Sequence, residues 1–148
     1  MSRTARDLVD EALRRILAKD MTGFAELFAT DGVLEFPFAA AGYPARLDGR
    51  DNVREYLRDY NDNIVPERVV SSEIHDIAGA DRVVVEFEIA GTIVASGKPY
   101  SLRYIAVITA KNGEIAHYRD YWSPLAAAEA LGGADELMTF GNSTTATS

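Results

Sequence analysis

The carboxyl group best placed for chemistry is that of Asp120, within the segment EIAHYRDYW at residues 114–122. Alternate side chains of a β-strand share a face, so Asp120 is predicted to lie with Ala116, Tyr118 and Trp122. A carboxyl group between two aromatic side chains loses hydration, which raises its pKa and suits it to general acid or base catalysis. The same pattern is also typical of a structural aspartate that pairs with an arginine or caps a backbone NH.

Two further acids, Glu86 and Glu88, occupy alternate positions of a predicted strand. Such a pair can serve hydrolysis. Arg103 and Arg119 on neighbouring strands can instead form cross-strand ion pairs with these acids, and we favour that interpretation. A sheet face rich in such pairs predicts a subunit interface, and hence a homodimer formed through the outer face of the sheet.

A second candidate proton carrier is His75, because an imidazole titrates near neutral pH. A lone strand histidine beside acids is also typical of a hydrogen-bonded structural residue. Tyr104 is predicted on the strand before Asp120, where its hydroxyl can orient a carbonyl group. The two histidines, His75 and His117, lack metal-ligand spacing, and the sequence has no nucleotide-binding or serine-hydrolase motif. We therefore predict neither a metal site nor a cofactor.

Composition restricts the function further. The chain has 148 residues, 15 Lys+Arg and 23 Asp+Glu, which gives a formal net charge of −8. This balance argues against binding to nucleic acids or to anionic membranes, since both depend on basic residues. The absence of cysteine excludes disulfides and thiolate chemistry. No apolar run is long enough for a signal peptide or a membrane span, so a cytoplasmic protein is predicted.

The elements that would position these groups follow from hydrophobic periodicity. Three- and four-residue spacing predicts an amphipathic helix that begins at Thr4 and reaches Leu17, a short second helix with its N-cap at Thr22, and a third helix over 50–61. Alternation and turn residues predict strands over 33–38, 68–77, 81–94, 100–110 and 114–122, with a turn at 31–32 and a loop at 39–47. Ser123-Pro124 begins a short final helix.

Helices followed by long antiparallel strands indicate the α+β class. We predict a cone: one curved, mostly antiparallel sheet with three N-terminal helices over its concave face. Residues 1–140 are expected to form a single domain and residues 141–148 a disordered polar tail. Segment 134–140 could close the cone as a lid or trail from it, and the sequence leaves both arrangements open.

The order of elements, the run GRDNV at 49–53 and the YRDYW run at 118–122 resemble the SnoaL-like branch of the nuclear transport factor 2-like superfamily. This superfamily also holds ketosteroid isomerase and limonene epoxide hydrolase. The resemblance extends from the first helix to Leu131 and implies a cone-shaped α+β barrel with a hydrophobic pocket. In SnoaL-type polyketide cyclases an aspartate near the end of the last strand is the acid/base for an intramolecular aldol closure. Asp120 falls at that position.

The resemblance implies a site around Asp120. Tyr104 or Tyr118 would donate a hydrogen bond to a developing oxyanion, and His75 would be a second proton carrier. A small apolar molecule would contact a set of largely aromatic residues: Tyr118, Trp122, Phe36, Tyr56, Tyr60, Phe87 and Leu102.

Limonene epoxide hydrolase has the same Arg-Asp-Tyr run. Its other catalytic positions, however, fall here on the apolar residues Leu34, Phe36, Phe87 and Ile89. Three hypotheses remain. The first is a cofactor-independent enzyme that cyclises or isomerises an apolar, polyketide-like carbonyl compound; the second is a non-catalytic module that binds a small ligand; the third is an atypical epoxide hydrolase.

Overall fold

The structure is a computed structural model that describes residues 2–131. Its helices are α1 (Ala5–Leu17), α2 (Met21–Glu26), α3 (Arg50–Leu57), α4 (Tyr60–Asn63) and α5 (Pro124–Ala130). Its strands are β1 (Phe28–Glu35), β2 (Arg46–Asp48), β3 (Ile64–Asp76), β4 (Arg82–Ile93), β5 (Pro99–Lys111) and β6 (Glu114–Trp122).

The strands form one mixed sheet in the order β2-β1-β6-β5-β4-β3. Every neighbouring pair is antiparallel except β1 and β6, which run parallel. The long strands β3 to β6 are joined in sequence by short turns, as their turn residues indicated. This architecture confirms the predicted α+β class with a mostly antiparallel sheet and N-terminal helices.

Helix α1 covers the sheet with its apolar side. Thr4 caps it, because its hydroxyl accepts a hydrogen bond from the Asp7 NH while the Asp7 carboxylate accepts one from the Thr4 NH. The buried positions include Leu8, Val9 and Ile16, which recur at helical spacing and belong to the main core. The helix thus contributes one wall of the interior.

Two predicted boundaries near the second helix are wrong. Its N-cap is Asp20, not Thr22, because the Asp20 carboxylate accepts a hydrogen bond from the Gly23 NH at 2.8 Å. The first strand begins at Phe28, so the predicted turn at 31–32 lies inside β1. The register of β1 against β6 shifts between Phe28 and Val33, and this irregularity accommodates the turn-forming residues.

Two further elements differ from the sequence prediction. The single helix predicted over 50–61 is two helices, α3 and α4, separated at residues 58–59. The predicted loop at 39–47 contains the start of β2, which pairs with β1 at the sheet edge. A three-residue strand carries too little periodicity to be recognised from sequence.

The register of β6 controls which side chains face the helices. Ala110 pairs with Ile115 and Thr109 with His117, so Ala116 is an extra residue on β6. Ile115 and Tyr118 are therefore both buried in the core, three positions apart. Beyond this bulge the predicted alternation holds through Tyr118, Asp120 and Trp122.

The predicted tail at 141–148 and segment 134–140 lie outside the described residues, and the single-domain boundary at residue 140 stays a prediction. Over residues 2–131, no helix is both long enough and apolar enough to cross a membrane.

Candidate active site in the cone

A cavity of about 480 Å³ lies between the concave face of the sheet and the helices. This volume is within the usual range for sites that bind small molecules. Its wall includes nine of the residues that the sequence predicted for the site: Asp120, Tyr104, Tyr118, Trp122, Phe36, Tyr56, Tyr60, Phe87 and Leu102. The fold therefore brings together residues from four strands or strand ends and from α3 and α4.

Asp120 presents its carboxyl group to this cavity from β6, opposite Ala106 of β5. Its Oδ1 is shielded from solvent and has no hydrogen-bond partner among residues 2–131. Burial without a compensating charge disfavours the ionised form and raises the pKa of Asp120 to about 7. The carboxyl group can therefore hold or release a proton close to neutral pH.

Four phenols surround this carboxyl group: Tyr56, Tyr60, Tyr104 and Tyr118. Burial is the main cause that raises the pKa of each, and the charge of Asp120 raises all four further. The pKa of Tyr56 rises to about 12. All four hydroxyl groups remain protonated at neutral pH and can donate hydrogen bonds to a ligand.

Ring packing fixes several of these side chains. Tyr104 stacks on Phe87 with ring centroids 5.0 Å apart, and Tyr56 packs against Phe36 at 5.6 Å. Tyr104 pairs in register with both Phe87 and Trp122, so these three residues form a row across β4, β5 and β6. An aromatic row on a sheet is a preorganised wall for an apolar ligand.

The positions aligned with the epoxide hydrolase catalytic set also face the cavity. Leu34, Phe36, Phe87 and Ile89 are all buried and all line it. Because none of these side chains can hold a water molecule by a hydrogen bond, they make the surroundings of Asp120 apolar.

Apart from Asp120, the charged residues at the cavity wall lie beside opposite charges. Arg58 of the α3–α4 junction pairs with Glu55 at 2.5 Å and lies 3.6 Å from Asp59. Arg103 lies 3.5 Å from Glu88. These groups are largely exposed, apart from Glu88, which is mostly covered. The wall near solvent is therefore charged, while the wall around Asp120 is aromatic and aliphatic.

His75 lies elsewhere, on the outer face of the sheet, and is not part of the cavity wall. Its Nε2 is 2.7 Å from Glu86 and 3.7 Å from Glu73. The structure does not bring His75 together with Asp120. The ligating atoms of these three side chains lie within 4.8 Å of one another, and the hydrogen bond to Glu86 accounts for their approach.

The predicted ion pairs on the outer face form only in part. Glu88 pairs with Arg103, as expected, and also accepts a hydrogen bond from Ser101. Glu86 pairs with His75 and not with an arginine. Arg119 forms no ion pair within residues 2–131, which corrects the expectation that it neutralises one of the two glutamates.

Several wall residues were not predicted for the site. Met21 and Phe24 of α2, Ile64 of β3 and Ala127 of α5 all contact the cavity. The apolar spacing of α2 predicted that Phe24 packs inward, but not that it meets a cavity rather than filled core. Ala127 lies in α5, the helix that the sequence predicted to begin at Ser123-Pro124. The Ser123 hydroxyl caps this helix by accepting a hydrogen bond from the Ala126 NH.

Known proteins resemble this chain over most of its length. A family model described as a SnoaL-like domain matches residues 8–118. An uncharacterized Bacillus subtilis protein, YesE, is 37% identical over 127 residues, which cover 83% of this chain and 86% of the relative. An uncharacterized PhzA/B-like protein of Pseudomonas aeruginosa is 33% identical over 131 residues, 88% of this chain and 92% of the relative.

Solved structures agree with these matches. A candidate isomerase from Bacillus subtilis superposes with a TM-score of 0.83 at 35% identity, covering 87% of this chain and 93% of that one. A candidate polyketide cyclase from Pseudomonas putida gives 0.74 at 21% identity, covering 87% and 98%. A Catenulispora acidiphila protein with a ketosteroid isomerase-like fold, solved with trimethylamine, gives 0.69 at 18%, covering 88% and 95%. The last two likenesses concern the fold alone.

Proposed function

The chain belongs to the SnoaL-like family and has the ketosteroid isomerase-like fold, and from this premise we propose a cofactor-independent enzyme that cyclises or isomerises a small apolar carbonyl compound. Membership of the family confirms the resemblance that the YRDYW run indicated. The observation that supports the proposal most strongly is the Asp120 carboxyl group in an aromatic cavity, where its Oδ1 is shielded from solvent and has no hydrogen-bond partner among residues 2–131.

Asp120 acts as the proton carrier. Its ionised carboxylate takes a proton from the carbon next to the substrate carbonyl, and the C–H electron pair becomes an enolate. In an isomerisation the same carboxyl group returns the proton to another carbon of the enolate. In a cyclisation the enolate carbon forms a bond to a second carbonyl carbon, and the resulting alkoxide takes the proton from Asp120. A pKa of about 7 suits both half-reactions.

The phenols supply the complementary role. A protonated tyrosine that donates a hydrogen bond to the carbonyl oxygen stabilises the negative charge that develops there. Tyr118 is the first candidate, because it lies two residues from Asp120 on the same face and, after burial, the charge of Asp120 is the main influence on its pKa. Tyr104 is the second, on the neighbouring strand.

The cavity favours an uncharged substrate. Its inner wall is aromatic and aliphatic, and the arginines at its wall, Arg58 and Arg103, are paired with acids. An anionic ligand would lose hydration without gaining a free cation and would also face Asp120. We therefore expect a neutral carbonyl compound to bind more tightly than the matching carboxylate.

The names of the relatives agree with this chemistry at a coarse level. Similar structures are named as a candidate isomerase and a candidate polyketide cyclase, and one relative is named PhzA/B-like. The curated relatives are uncharacterized, so the substrate and the reaction are our proposal.

The test is a ligand-observed screen of the purified protein against polyketide, steroid and terpenoid carbonyl and epoxide compounds, followed by mass spectrometry of each bound compound. We expect a carbonyl compound to be returned chemically changed by the wild-type protein and unchanged by Asp120→Asn. Glu86→Gln is the matched control, because it removes an exposed acid from the outer face. Conversion that persists in Asp120→Asn would overturn the assigned role of Asp120.

The alternative function is a non-catalytic module that binds a small ligand in the same cavity. It is favoured by the trimethylamine complex of a relative, which shows that the fold can hold a small amine. A compound that binds and is always returned intact, with Asp120→Asn altering affinity only, would support this alternative. Epoxide hydrolysis has less support because of the apolar residues around Asp120, and it would require a diol that incorporates labelled water oxygen.

We also propose that the chain is a cytoplasmic homodimer that associates through the outer face of the sheet. Light scattering at micromolar concentration is expected to give twice the mass of 16.2 kDa. A monomeric mass would contradict the dimer.

A further inference from the structure

The cavity has two sections, one on each side of the aromatic row formed by Phe87, Tyr104 and Trp122. The inner section adjoins the main hydrophobic core and contains Asp120. The outer section is defined by aliphatic side chains that belong to a separate hydrophobic cluster: Ile64, Ile93, Leu102 and Leu131. A ligand that fills the whole cavity therefore contacts two hydrophobic clusters.

The register of β5 gives the distance between the two sections. Ala106 lies opposite Asp120 of the neighbouring strand β6. Leu102 lies on the same concave face as Ala106, because alternate residues of a strand share a face. Four residues separate the two positions, at about 3.4 Å each, so Leu102 is roughly 13 Å from the row of the sheet that holds Asp120. The cavity is therefore elongated along the strands.

Helix α5 covers the outer section. It follows the end of β6 at Trp122 and packs against β5. Ala130 and Leu131, at the end of this helix, contact the cluster that contains Ile64 of β3 and Ile93 of β4. Both isoleucines are buried although they line the cavity. The outer section is therefore an enclosed part of the cavity and not a groove on the surface.

The groups that can orient a carbonyl ligand are placed toward one end of this cavity. Asp120 and Tyr118 lie in the inner section, and Tyr104 lies in the aromatic row. The four side chains that define the outer section are hydrocarbons and offer no hydrogen bond. Because a few polar groups in an apolar pocket fix the orientation of a ligand, a carbonyl group is held at the inner end. The part of the ligand in the outer section must then be apolar.

We propose that the substrate is an elongated carbonyl compound, whose carbonyl group lies at one end beside Asp120 and whose apolar tail passes the aromatic row into the outer section. The inference rests on the proposed function for the identity of the reacting group. Burial of the tail against aliphatic side chains contributes binding free energy in proportion to the area removed from water. Leu102 is the specificity-determining residue, because it is half-buried and borders the space that the tail enters.

The first measurement is calorimetric titration of the wild-type protein with straight-chain methyl ketones of increasing length. Each added methylene group should raise the affinity about fourfold until the tail fills the outer section. Methyl nonyl ketone should therefore bind at least about a hundredfold more tightly than methyl propyl ketone. An affinity that stops rising while the chain is still too short to pass the aromatic row would overturn the proposal.

The second measurement repeats these titrations with Leu102→Trp, whose larger side chain fills the outer section. The affinity for methyl nonyl ketone should fall at least about tenfold, while that for methyl propyl ketone stays within about twofold. Leu125→Trp is the matched control, because it makes the same change at a side chain of α5 that is 79% exposed and outside the cavity wall. Equal losses for the two ketones, or equal effects of the two variants, would overturn the proposal.

A smaller side chain at the same position tests the proposal in the other direction. Leu102→Ala removes contacts with the tail and should weaken the binding of methyl nonyl ketone only. Circular dichroism checks that each variant is folded, and this variant decides the outcome if Leu102→Trp does not fold.

These titrations detect binding and not turnover, so they separate the elongated substrate from the proposed reaction. Length-dependent binding by a protein that converts no carbonyl compound would support the elongated ligand and contradict the reaction. Conversion of a compact carbonyl compound without any length dependence would contradict the elongated substrate alone.

Discussion

The two faces of β6 place two titratable side chains, Asp120 and His117, in opposite surroundings. On the inner face Asp120 lies among Tyr118, Trp122 and other aromatic residues, and its Oδ1 has no partner among the described residues. On the outer face His117 pairs with Glu35 beside solvent. The Asp120 carboxyl group is therefore buried without an opposite charge beside it, whereas the Glu35 carboxylate has His117 as its partner.

This contrast shows that surroundings, more than residue type, decide what an acid can do. Asp7, exposed at the start of α1, has its pKa lowered by hydrogen bonds from Thr4. Asp120 has its pKa raised to about 7 by burial. Two aspartates of one chain are thereby suited to different roles, one to capping a helix and the other to carrying a proton.

The largest effect is expected when the inner carboxylate is removed. Asp120→Asn keeps the shape of the side chain but removes the proton carrier, so turnover of a converted substrate should fall by about 10²- to 10⁴-fold. Glu86→Gln on the outer face should leave turnover unchanged. Steady-state kinetics with product detection by mass spectrometry measures both, and equal losses in the two variants would erase the distinction between the faces.

The burial of Asp120 should also change how the free energy of unfolding depends on pH. The folded protein holds the Asp120 proton up to about pH 7, whereas a free aspartate releases it near 3.8. Between these values the folded state binds more protons than the unfolded state, so this carboxyl group lowers stability as pH rises. Its ionisation costs the folded state up to about 4 kcal/mol above pH 7, and nothing below pH 3.8.

Asp120→Asn should therefore gain stability relative to the wild type between pH 4 and pH 8. Urea unfolding at a series of pH values measures the difference. A constant difference across that range would mean that Asp120 titrates alike in the folded and unfolded chains.

A smaller effect is expected from a phenol pair on the same strand. Tyr118→Phe removes a candidate oxyanion donor from the cavity and should lower turnover by about a hundredfold. Tyr121→Phe removes a hydroxyl from the outer face, where the ring packs against Phe38 at 5.2 Å, and should have no effect on turnover. If neither change affects turnover but Tyr104→Phe does, the donor is Tyr104.

The smallest effect concerns an outer ion pair. Arg103→Gln breaks the contact with Glu88, in which the arginine is 86% exposed and hydrated in either state. The free energy of unfolding should change by less than about 1 kcal/mol. Chemical denaturation measures it at a protein concentration low enough to give the monomer, because the proposed homodimer would cover this face. A much larger loss in the monomer would mean that the pair contributes more than its exposure allows.

The sequence predicted the inner face of β6 because strand alternation is a local rule. It placed Tyr118, Asp120 and Trp122 together, and the same rule separated Phe87 from its neighbours Glu86 and Glu88. The helix start at Ser123 was likewise predicted from this serine and the proline that follows it.

What the sequence missed depends on distant pairings. Whether His75 meets Asp120 is decided by the sheet order, which separates β3 from β6 by two strands. The length of β1 depends on its pairing with β6. Arg119 misses Glu86 and Glu88 because β5 separates its strand from β4, and Glu35, which the register sets opposite Arg119, is held by His117. No local pattern contains that information.

The parallel pairing of β1 with β6 also bears on how the chain folds. Glu35 and His117, which meet across that pairing, are 82 residues apart in sequence. Closing so long a loop costs conformational entropy before any contact offsets it, and topologies rich in such contacts fold slowly. A ribosome must deliver nearly the whole domain before β1 finds its neighbour, and until then the surfaces destined for the cone stay open to chaperones.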